Sequence, residues 1–399
     1  MAPQMMEAAP YAVLQALVPA PGRALDWAAC CDAIGALRAL DATPQDPVHH
    51  AEGDVGTHTR WVLECLREDA YFQQAAPDRQ WVMFMAALLH DIAKPATTVV
   101  DEATGRIRQP GHSARGAVDA RVLLWVAGCP WALREAVCRL IAVHQQPFFV
   151  WNSHQGVAPE YVVRKLSWGV CWAELLALAR ADMRGRVCQD PQRHLDDLQL
   201  LEELVREEGA WEQPRPFADA HTALRYFRGT NLYPMEPLYA NPGSVVTVMC
   251  GLPAAGKNHW VARHRPHWAV VSFDDAREAL GLAHGDNEGQ VAHHAQEQAR
   301  ALLRAREPFV WNATHLSQSM RDKTLDLLYA YDAQVEIVHL EQPLPELLRR
   351  NHRRDTSLSN AALLRMLHRW EAPWPTEAHR VVYEGGPISP HDAGLSQRP

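Results

Sequence analysis

Lysine, paired cysteines and long apolar runs are scarce in this sequence of 399 residues. Only four of its 39 basic residues are lysines, and its eight cysteines include no C-x-x-C pair. This cysteine usage is typical of a reduced protein and excludes a disulfide scaffold or a zinc finger of that spacing. No apolar run is long enough to span a membrane, and no basic segment precedes an apolar core at the N-terminus. We therefore expect a soluble, cytoplasmic protein without a membrane partner.

Acidic residues outnumber basic ones, which gives a formal net charge of −8 and a pI near 6.2. That balance argues against broad polyelectrolyte binding, so any contact with nucleic acid should be local. The composition is otherwise that of a globular protein, and the length allows two or three domains with separate cores.

Residues from about 25 to 205 carry apolar side chains at three-and-four spacing, the pattern of amphipathic helices. Short breaks that contain Gly or Pro separate the helical segments, and no strand pattern of any length intervenes. We predict an all-helical domain over residues 1–205. Its main helices are predicted in THTRWVLECLRE, RQWVMFMAALLHDIAK, GHSARGAVDARVLLWVAG, WALREAVCRLIAVHQQ and EYVVRKLSWGVCWAELLALARADMRG.

Six side chains at the ends or on the faces of five predicted helices form a candidate metal site. They are His58, His90, Asp91, His112, His144 and Asp182. Imidazole and carboxylate ligands of this kind can enclose one or two divalent ions, and they suit a transition metal better than Ca²⁺. Paired ions lower the pKa of a bridging water and hold a phosphoryl group, which is what phosphoester hydrolysis requires.

The segments LLHDIAKP, EGDVGTHT and LARADMRG, with a GH and a helix-ending VH between them, resemble the HD phosphohydrolase superfamily. The likeness extends in particular to the HD domains of bacterial CCA-adding enzymes. It implies that the six residues are metal ligands, that Asp91 bridges two ions and that Lys94 contacts phosphate during catalysis. His50 and Glu52 fit the lead-in segment of the family, and a structural role in a loop explains them equally well.

The second half alternates strand and helix patterns, which implies a parallel sheet with helices on both faces. Strands are predicted in SVVTVMC, WAVVSF, EPFVWNAT and AQVEIVHLE. Residues 206–243 are rich in proline, glycine and aromatics without periodicity, so we expect an ordered connector there. The prediction is a multidomain α and α/β protein, with an α/β domain over residues 244–385 and a tail over residues 386–399.

Residues 248–260, VMCGLPAAGKNHW, hold a G-x-x-x-x-G-K frame between a predicted strand and a predicted helix. Gly251, Gly256 and Lys257 complete this frame, in which backbone N–H groups cradle phosphates while the lysine binds the terminal ones and assists catalysis. The next position usually carries a Ser or Thr ligand to Mg²⁺, but here it is Asn258. An amide oxygen can still ligate Mg²⁺, so we interpret Asn258 as a variant. We predict a P-loop kinase that uses ATP or another NTP with Mg²⁺.

A carboxylate at the tip of a strand beside this loop is well placed to take a proton from an attacking hydroxyl, which makes Asp274 the candidate general base. Asp275 is the alternative base, or a helix cap. Arg277, one turn into the next helix, can contact a substrate phosphate. The arginine cluster in LLRRNHRRDTSLS is either a lid over the phosphates or a solvated charged face.

These segments, together with VWNATHLSQSMR, resemble the family of 5′-OH polynucleotide kinases. The resemblance implies that Asp274 is the base, that Arg277 binds the phosphate next to the accepting nucleotide, and that Arg354 is a catalytic lid arginine. It also assigns nucleotide binding to His259 and Arg350, and substrate binding to Thr314 and Arg321. Relatives often carry Asp where Asn312 stands.

An HD domain followed by a polynucleotide kinase resembles the bacterial HD-Pnk proteins over residues 45–385. The resemblance implies healing of RNA or DNA ends before a ligase acts. The HD domain would use one or two ions such as Mn²⁺, Co²⁺ or Ni²⁺ to hydrolyse 2′,3′-cyclic phosphate and 2′/3′-phosphate ends. The kinase domain would transfer the NTP γ-phosphate to a 5′-OH end.

Three other interpretations stay open. The first is a nucleotide-metabolism HD phosphohydrolase fused to a small-molecule kinase. The second is a remnant of a CCA-adding enzyme, for which we expect too few residues ahead of the HD segments to form a nucleotidyltransferase head. The third is a non-catalytic RNA-binding or sensor protein. The presence of Lys257 and Asp274 argues against this interpretation.

Overall fold

The computed structural model describes five segments of the chain, residues 8–152, 156–230, 232–283, 285–353 and 358–384. The chain forms two compact units, which are divided between Arg215 and Pro216. The predicted connector, residues 206–243, is therefore shared: its start completes the first unit and its remainder begins the second.

The described part of the first unit is built mainly from α-helices, with 3-10 turns at Gly35–Ala42 and Gln146–Phe148. Local capping sets where a helix begins, as where the Asp54 carboxylate accepts a hydrogen bond from the Thr57 N–H at 2.7 Å, just before His58. The helices are α1 (Tyr11–Gln15), α2 (Trp27–Ala33), α3 (Val55–Glu68), α4 (Ala70–Gln74), α5 (Pro77–Leu89), α6 (Lys94–Thr97), α7 (His112–Val126), α8 (Trp131–Val143), α9 (Pro159–Leu166), α10 (Trp172–Arg184) and α11 (Pro191–Glu207).

Helix α5 forms the centre of the first unit, since every residue from Trp81 to Leu89 is buried. A helix that is apolar all round has to be surrounded by protein, and α3, α8 and α10 pack against it. Because α5 ends directly before His90 and Asp91, these two polar residues are carried into the interior. Among the described residues, no helix combines the length and apolarity needed to cross a membrane.

The first unit differs from the helical prediction at two places. A small antiparallel hairpin, β1 (Val99–Val100) and β2 (Ile107–Arg108), follows α6. Strands of two residues are too short to produce an alternating pattern in the sequence, which is why the hairpin was not predicted. The segment EYVVRKLSWGVCWAELLALARADMRG forms the two helices α9 and α10 rather than one, because the chain turns at residues 167–171.

The second unit is a parallel α/β domain, as the alternating pattern predicts. Its described strands are β3 (Val245–Cys250), β4 (Ala269–Ser272), β5 (Phe309–Asn312), β6 (Gln334–Leu340) and β7 (Arg380–Glu384). They form one sheet in the order β4–β5–β3–β6–β7, and each neighbouring pair is parallel. The helices are α12 (Ala220–Phe227), α13 (Lys257–His264), α14 (Phe273–Leu280), α15 (Glu288–Ala305), α16 (Gln318–Tyr329), α17 (Leu344–His352) and α18 (Asn360–Arg365), with 3-10 turns at Met366–Arg369 and Pro375–Glu377.

The central strand β3 is buried from Val246 to Cys250, as expected for a parallel strand covered on both faces. The four strands predicted from the sequence are confirmed. Strand β7 was not predicted, because its three apolar residues between charged ones give no distinct strand pattern. It pairs with β6 from Glu336–Arg380 to Leu340–Glu384 and so completes the sheet.

Arg321 is fully buried, and its guanidinium is bound on all sides. It makes a bidentate ion pair with Glu377, with N–O distances of 2.6 and 2.9 Å, and donates to the carbonyl oxygens of His315 and Glu371. These contacts hold α16 to the turn that precedes β7. The prediction that Arg321 binds substrate is wrong, because the side chain is an interior structural element.

Replacing Arg321 with Met should leave the Glu377 carboxylate buried without its partner, which lowers the free energy of unfolding of the second unit by about 3–5 kcal/mol. Denaturant titration followed by circular dichroism measures this change. Arg304 is exposed on α15 and provides the matched control, since Arg304→Met should change the free energy by less than about 0.5 kcal/mol. Equal effects of the two substitutions would contradict a structural role for Arg321.

Candidate functional site

The six predicted metal ligands converge in the interior of the first unit, and each is at most 5% exposed. Their ligand atoms form two groups, in each of which all atoms lie within 4.8 Å of one another. One group contains His58, His90 and Asp182, and the other contains Asp91, His112 and His144. We call these six residues the histidine–carboxylate cluster.

Backbone carbonyls fix the orientation of three imidazoles in this cluster. The Nδ1–H groups of His90, His112 and His144 donate to the carbonyl oxygens of the residues three positions earlier, each at 2.8 Å. A neutral ring that carries its proton on Nδ1 keeps its lone pair on Nε2. Each ring is therefore set to offer Nε2 as a ligand. Burial, together with the neighbouring His90, lowers the pKa of His144 to about 3, so that ring stays neutral.

The polar atoms at the centre of the cluster are buried and make no hydrogen bond of favourable geometry with a described residue, although the Lys94 ammonium lies close to Asp91. They are Nε2 of His58, His90 and His112, and both carboxylate oxygens of Asp91. A buried polar atom without a partner costs about 1–3 kcal/mol, and a divalent ion would satisfy several of these at once. The donor set therefore fits a transition-metal ion, as the sequence predicts.

Asp91 lies between the two groups. Its Oδ2 is 3.1 Å from His90 Nε2 and 3.9 Å from His58 Nε2, whereas its Oδ1 is 3.4 Å from His112 Nε2. One oxygen faces each group, which is the arrangement that a bridging ligand needs. Burial acts to raise the pKa of Asp91, but His90 and Lys94 hold it well below its usual range, so the carboxylate stays anionic.

Lys94 is buried beside the cluster. Its ammonium lies 2.7 Å from Asp91 Oδ2 and donates to Gln45 Oε1 at 2.6 Å. The lysine is thus held next to the predicted bridging carboxylate, and its contact with a substrate phosphate stays a prediction.

Glu52 forms a third close group with His50 and His58. Its Oε1 lies 2.8 Å from His50 Nδ1 and 2.9 Å from His58 Nδ1, and its Oε2 accepts the Val187 N–H at 2.8 Å. Burial acts to raise the pKa of Glu52, but the hydrogen bonds from His50 and His58 hold it below its usual range. A carboxylate on Nδ1 orients a ligating ring and makes its Nε2 more basic. Of the two roles that the sequence leaves open for Glu52, the geometry favours one in the metal site.

Arg186 is a residue that the sequence analysis missed. Its Nη2 donates to Asp182 Oδ1 at 2.7 Å, and its guanidinium carbon lies 5.4 Å from the centre of the Phe148 ring. Burial acts to raise the pKa of Asp182, but Arg186 and His58 hold it well below its usual range. The signal in the sequence is the spacing of four residues between Asp182 and Arg186, which lets a carboxylate and a guanidinium form an ion pair.

The phosphate loop follows β3 and opens α13, as predicted. Gly251 has φ 138°, and a Cβ there would lie 2.3 Å from the Leu340 carbonyl oxygen, so the position requires glycine. Gly256 has φ 107° and immediately precedes the helix. The Lys257 ammonium donates to the carbonyl oxygens of Gly251 and Leu252, both at 3.0 Å. The Lys257 side chain therefore lies across the phosphate loop, where it is predicted to bind the terminal phosphates.

The segment at the end of β5 flanks the phosphate loop. The Asn312 side-chain amide, at the end of β5, donates to Asn258 Oδ1 at 2.8 Å, which leaves that oxygen one further lone pair. The Thr314 carbonyl accepts the Gly251 N–H at 2.9 Å. Both contacts hold the segment from Asn312 to Thr314 beside the phosphate loop.

Asp274 lies in the first turn of α14, directly after β4, with 87% of its side chain exposed. Arg277 donates to Asp274 Oδ1 at 3.0 Å and to Glu288 Oε2 at 2.7 Å. The cap of α14 is Ser272, whose Oγ accepts the Asp275 N–H, so neither aspartate serves as the helix cap. The carboxylate of Asp274 is accessible to an acceptor and is already next to a cation.

The predicted lid arginines are described only in part. A Cβ placed on Gly256 would lie 3.4 Å from Arg350 Nη1, so the Arg350 guanidinium lies beside the phosphate loop. His259 is exposed on α13. Arg354 lies outside the described residues.

Comparisons with known proteins found one matching family model and one curated relative. A family model described as an AAA domain matches residues 246–373, which include the phosphate loop. The Multifunctional CCA protein of Halorhodospira halophila is 37% identical over 97 residues, which make up 24% of this chain and 20% of that protein. The chain therefore spans about a fifth of the length of this curated relative.

Two solved structures are distant matches. A sugar kinase from Janibacter sp. HTCC2649 is 20% identical, with 36% of this chain and 85% of that chain covered and a TM-score of 0.27. A gluconokinase from Sinorhizobium meliloti 1021 is 19% identical, with 40% and 96% covered and a TM-score of 0.26. With the matched family and the loop geometry, the second unit is a P-loop kinase-like domain, a class that uses an NTP with Mg²⁺.

Replacing Glu52 with Gln should weaken the binding of a divalent ion by about 10- to 100-fold, since the amide makes His58 a less basic and less well oriented ligand. Isothermal titration of the chelator-treated full-length protein with Mn²⁺ measures this affinity. Glu64 is exposed on the same helix as His58, and Glu64→Gln is the control that should leave the affinity unchanged. Unchanged affinity in the Glu52 variant would assign this residue to the loop structure alone.

Proposed function

We propose that this chain is a bifunctional nucleic-acid end-healing enzyme of the kind that its resemblance to the HD-Pnk proteins implies. The first unit would hydrolyse 2′,3′-cyclic phosphate and 2′/3′-phosphate ends, and the second would phosphorylate 5′-OH ends of RNA or DNA. The observation that carries the proposal is the buried histidine–carboxylate cluster, with its unpaired ligand atoms, in one chain with a complete phosphate loop. The two products are the ends that a ligase joins.

In the first unit, the six cluster residues would hold one or two ions such as Mn²⁺, Co²⁺ or Ni²⁺. Bound ions of this type supply an activated water and neutralise charge on a phosphoryl group. The chain itself contributes fixed imidazole orientations and a central anionic carboxylate. Lys94 and Arg186 add positive charge at Asp91 and Asp182, and both are suited to hold the phosphate of the substrate.

In the second unit, the N–H groups of the phosphate loop and Lys257 would hold the NTP phosphates. Asp274 would accept the proton of the 5′-OH while the oxygen of that hydroxyl attacks the γ-phosphorus. The bond from the γ-phosphorus to the oxygen that bridges it to the β-phosphate would break, and the nucleoside diphosphate would leave. Arg277, which touches Asp274, would bind the phosphate next to the accepting nucleotide. Arg350 and Arg354 would close over the donor phosphates.

A small-molecule kinase is the alternative for the second unit. Small ligands usually lie in clefts that bury most of their surface. The Asp274 side chain is 87% exposed, which suits the end of a long strand better than a small alcohol. The proposal of a polynucleotide acceptor is supported by this exposure.

The decisive test uses an RNA that carries a 5′-OH and a 2′,3′-cyclic phosphate, incubated with ATP, Mg²⁺ and Mn²⁺. We expect the protein to change both ends, as mapped by labelled ATP and by gel mobility of the 3′ end. His90→Ala should abolish the 3′-end reaction, because a cluster ligand is lost. Asp274→Ala should lower the rate of the 5′-end reaction by at least about 100-fold.

Each variant serves as the control for the other, since the untouched reaction should proceed at the rate of the parent protein. Nucleosides and simple sugars form a separate set of acceptors. Transfer of label to them, with none to the RNA, would assign the chain to small-molecule metabolism. Loss of both reactions in either variant would count against two independent sites.

Asn258 offers a test of the metal geometry in the kinase reaction. Asn258→Ala should raise the Mg²⁺ concentration for half-maximal activity by about tenfold, which corresponds to the loss of about 1.4 kcal/mol of binding. Asn258→Ser should restore the Mg²⁺ requirement, since a hydroxyl takes the usual ligand position. A Mg²⁺ dependence identical in all three proteins would show that residue 258 does not contact the ion.

A further inference from the structure

A cavity of ≈ 330 Å³ lies at the edge of the sheet where its strands begin. Its lining includes Asn241 and Pro242 ahead of β3, Asp332 ahead of β6, and His379 ahead of β7. The three strands are parallel, so their starts share this edge, whereas the phosphate loop follows the end of β3. A strand of this length separates the two edges by about 20 Å. The cavity is therefore distinct from the predicted kinase centre.

The walls of the cavity are tied together by hydrogen bonds. The Leu238 N–H donates to Thr222 Oγ1 at 3.0 Å, which joins the segment before β3 to α12. The Gly243 N–H donates to the Asp332 carbonyl at 2.9 Å, which joins the same segment to the turn before β6. These two hydrogen bonds attach the segment that carries residues 238–242 to α12 and to the turn before β6.

The imidazoles of His221 and His379 together place a hydrogen-bond donor at this cavity. Nδ1 of His379 accepts the Val335 N–H at 3.1 Å, so the ring carries its proton on Nε2. That Nε2 lies 3.5 Å from His221 Nδ1, with the rings nearly parallel at 11°. Since His221 Nδ1 accepts in this pair, its own proton is on Nε2 and is available to a ligand.

A cation and an exposed aromatic ring complete the site. Arg225 lies one helical turn after His221 on α12, lines the cavity, and makes no side-chain hydrogen bond or ion pair within the described residues. Tyr239 also lines the cavity and is 91% exposed. Exposed aromatic rings serve as stacking platforms for nucleobases, and arginine is suited to phosphate. The volume falls in the range of small-ligand sites, about 300–1,000 Å³.

We infer that this cavity binds one nucleotide of the acceptor strand, downstream of its 5′-OH end. Arg225 and His221 donate to a phosphodiester, and Tyr239 stacks on a base. The inference rests on the proposed polynucleotide kinase activity and adds a second anchoring point for its substrate. A stacked strand that rises about 3.4 Å per nucleotide needs at least about six nucleotides to reach from the phosphate loop to the cavity.

The test compares 5′-OH oligonucleotides of about two and about twenty nucleotides, only the longer of which can reach the cavity. In the parent protein, the longer acceptor should have the lower KM. The double variant R225Q/Y239A should raise the KM of the longer acceptor by about tenfold, in line with the loss of one stacked base. Its kcat, and its KM for the shorter acceptor, should stay within about twofold of the parent values.

The single variant R304Q removes an exposed arginine from α15 and should leave both KM values unchanged. A KM that does not depend on length in the parent protein, or an equal effect on both acceptors in the double variant, would overturn the inference and leave the proposed function intact. A raised KM for ATP would instead assign the cavity to a free nucleotide and also overturn it. Absence of transfer to either oligonucleotide would overturn the proposed function, and this inference with it.

Discussion

Backbone groups left unpaired where helices begin and end direct the functional side chains of both units. The last four carbonyls of an α-helix have no partner within the helix. At the ends of α5 and α8, such carbonyls accept Nδ1–H from His90 and His144, and both rings then offer Nε2 to the cluster. At the start of α13, the unpaired groups are N–H donors, which form a phosphate site beside Lys257. One constraint of helix geometry therefore places candidate metal-ligand atoms in one unit and candidate anion donors in the other.

The parts of the structure that depend on local sequence could be predicted. Three-and-four spacing predicts α3, α5, α7 and α8 well, and strand–helix alternation predicts the parallel sheet, because each pattern arises within a short window. The six cluster residues could be chosen for a related reason, since their positions at helix ends are visible from the helix pattern itself. The glycines of the phosphate loop could also be predicted from the local sequence. Gly251 lies too close to the Leu340 carbonyl for any side chain, so the position requires the glycine by which the motif is identified.

Contacts between residues that are far apart along the chain could not be predicted from the sequence. Arg321 pairs with Glu377, 56 positions later, and an arginine in a buried ion pair has the same appearance in sequence as an arginine that binds phosphate. Glu52 accepts the Val187 N–H, 135 positions later, while its other oxygen lies 2.9 Å from His58 Nδ1, the contact that favours a role in the candidate metal site. Strand β7 pairs with β6 from Arg380 to Glu384, a contact that its own three apolar residues do not reveal in the sequence. In each case the deciding interaction is tertiary.

A chain with a net charge of −8 can still attract phosphate if its cations are local and oriented. Three of the candidate phosphate-binding cations share one arrangement: each lies three or four residues after a candidate site carboxylate and forms an ion pair with it. The pairs are Asp91 with Lys94, Asp182 with Arg186, and Asp274 with Arg277. In each pair the carboxylate holds its cation in place and lowers the local positive charge. Under the proposed function, these local cations, and not the net charge of the chain, would determine where the phosphates of a nucleic-acid strand are held.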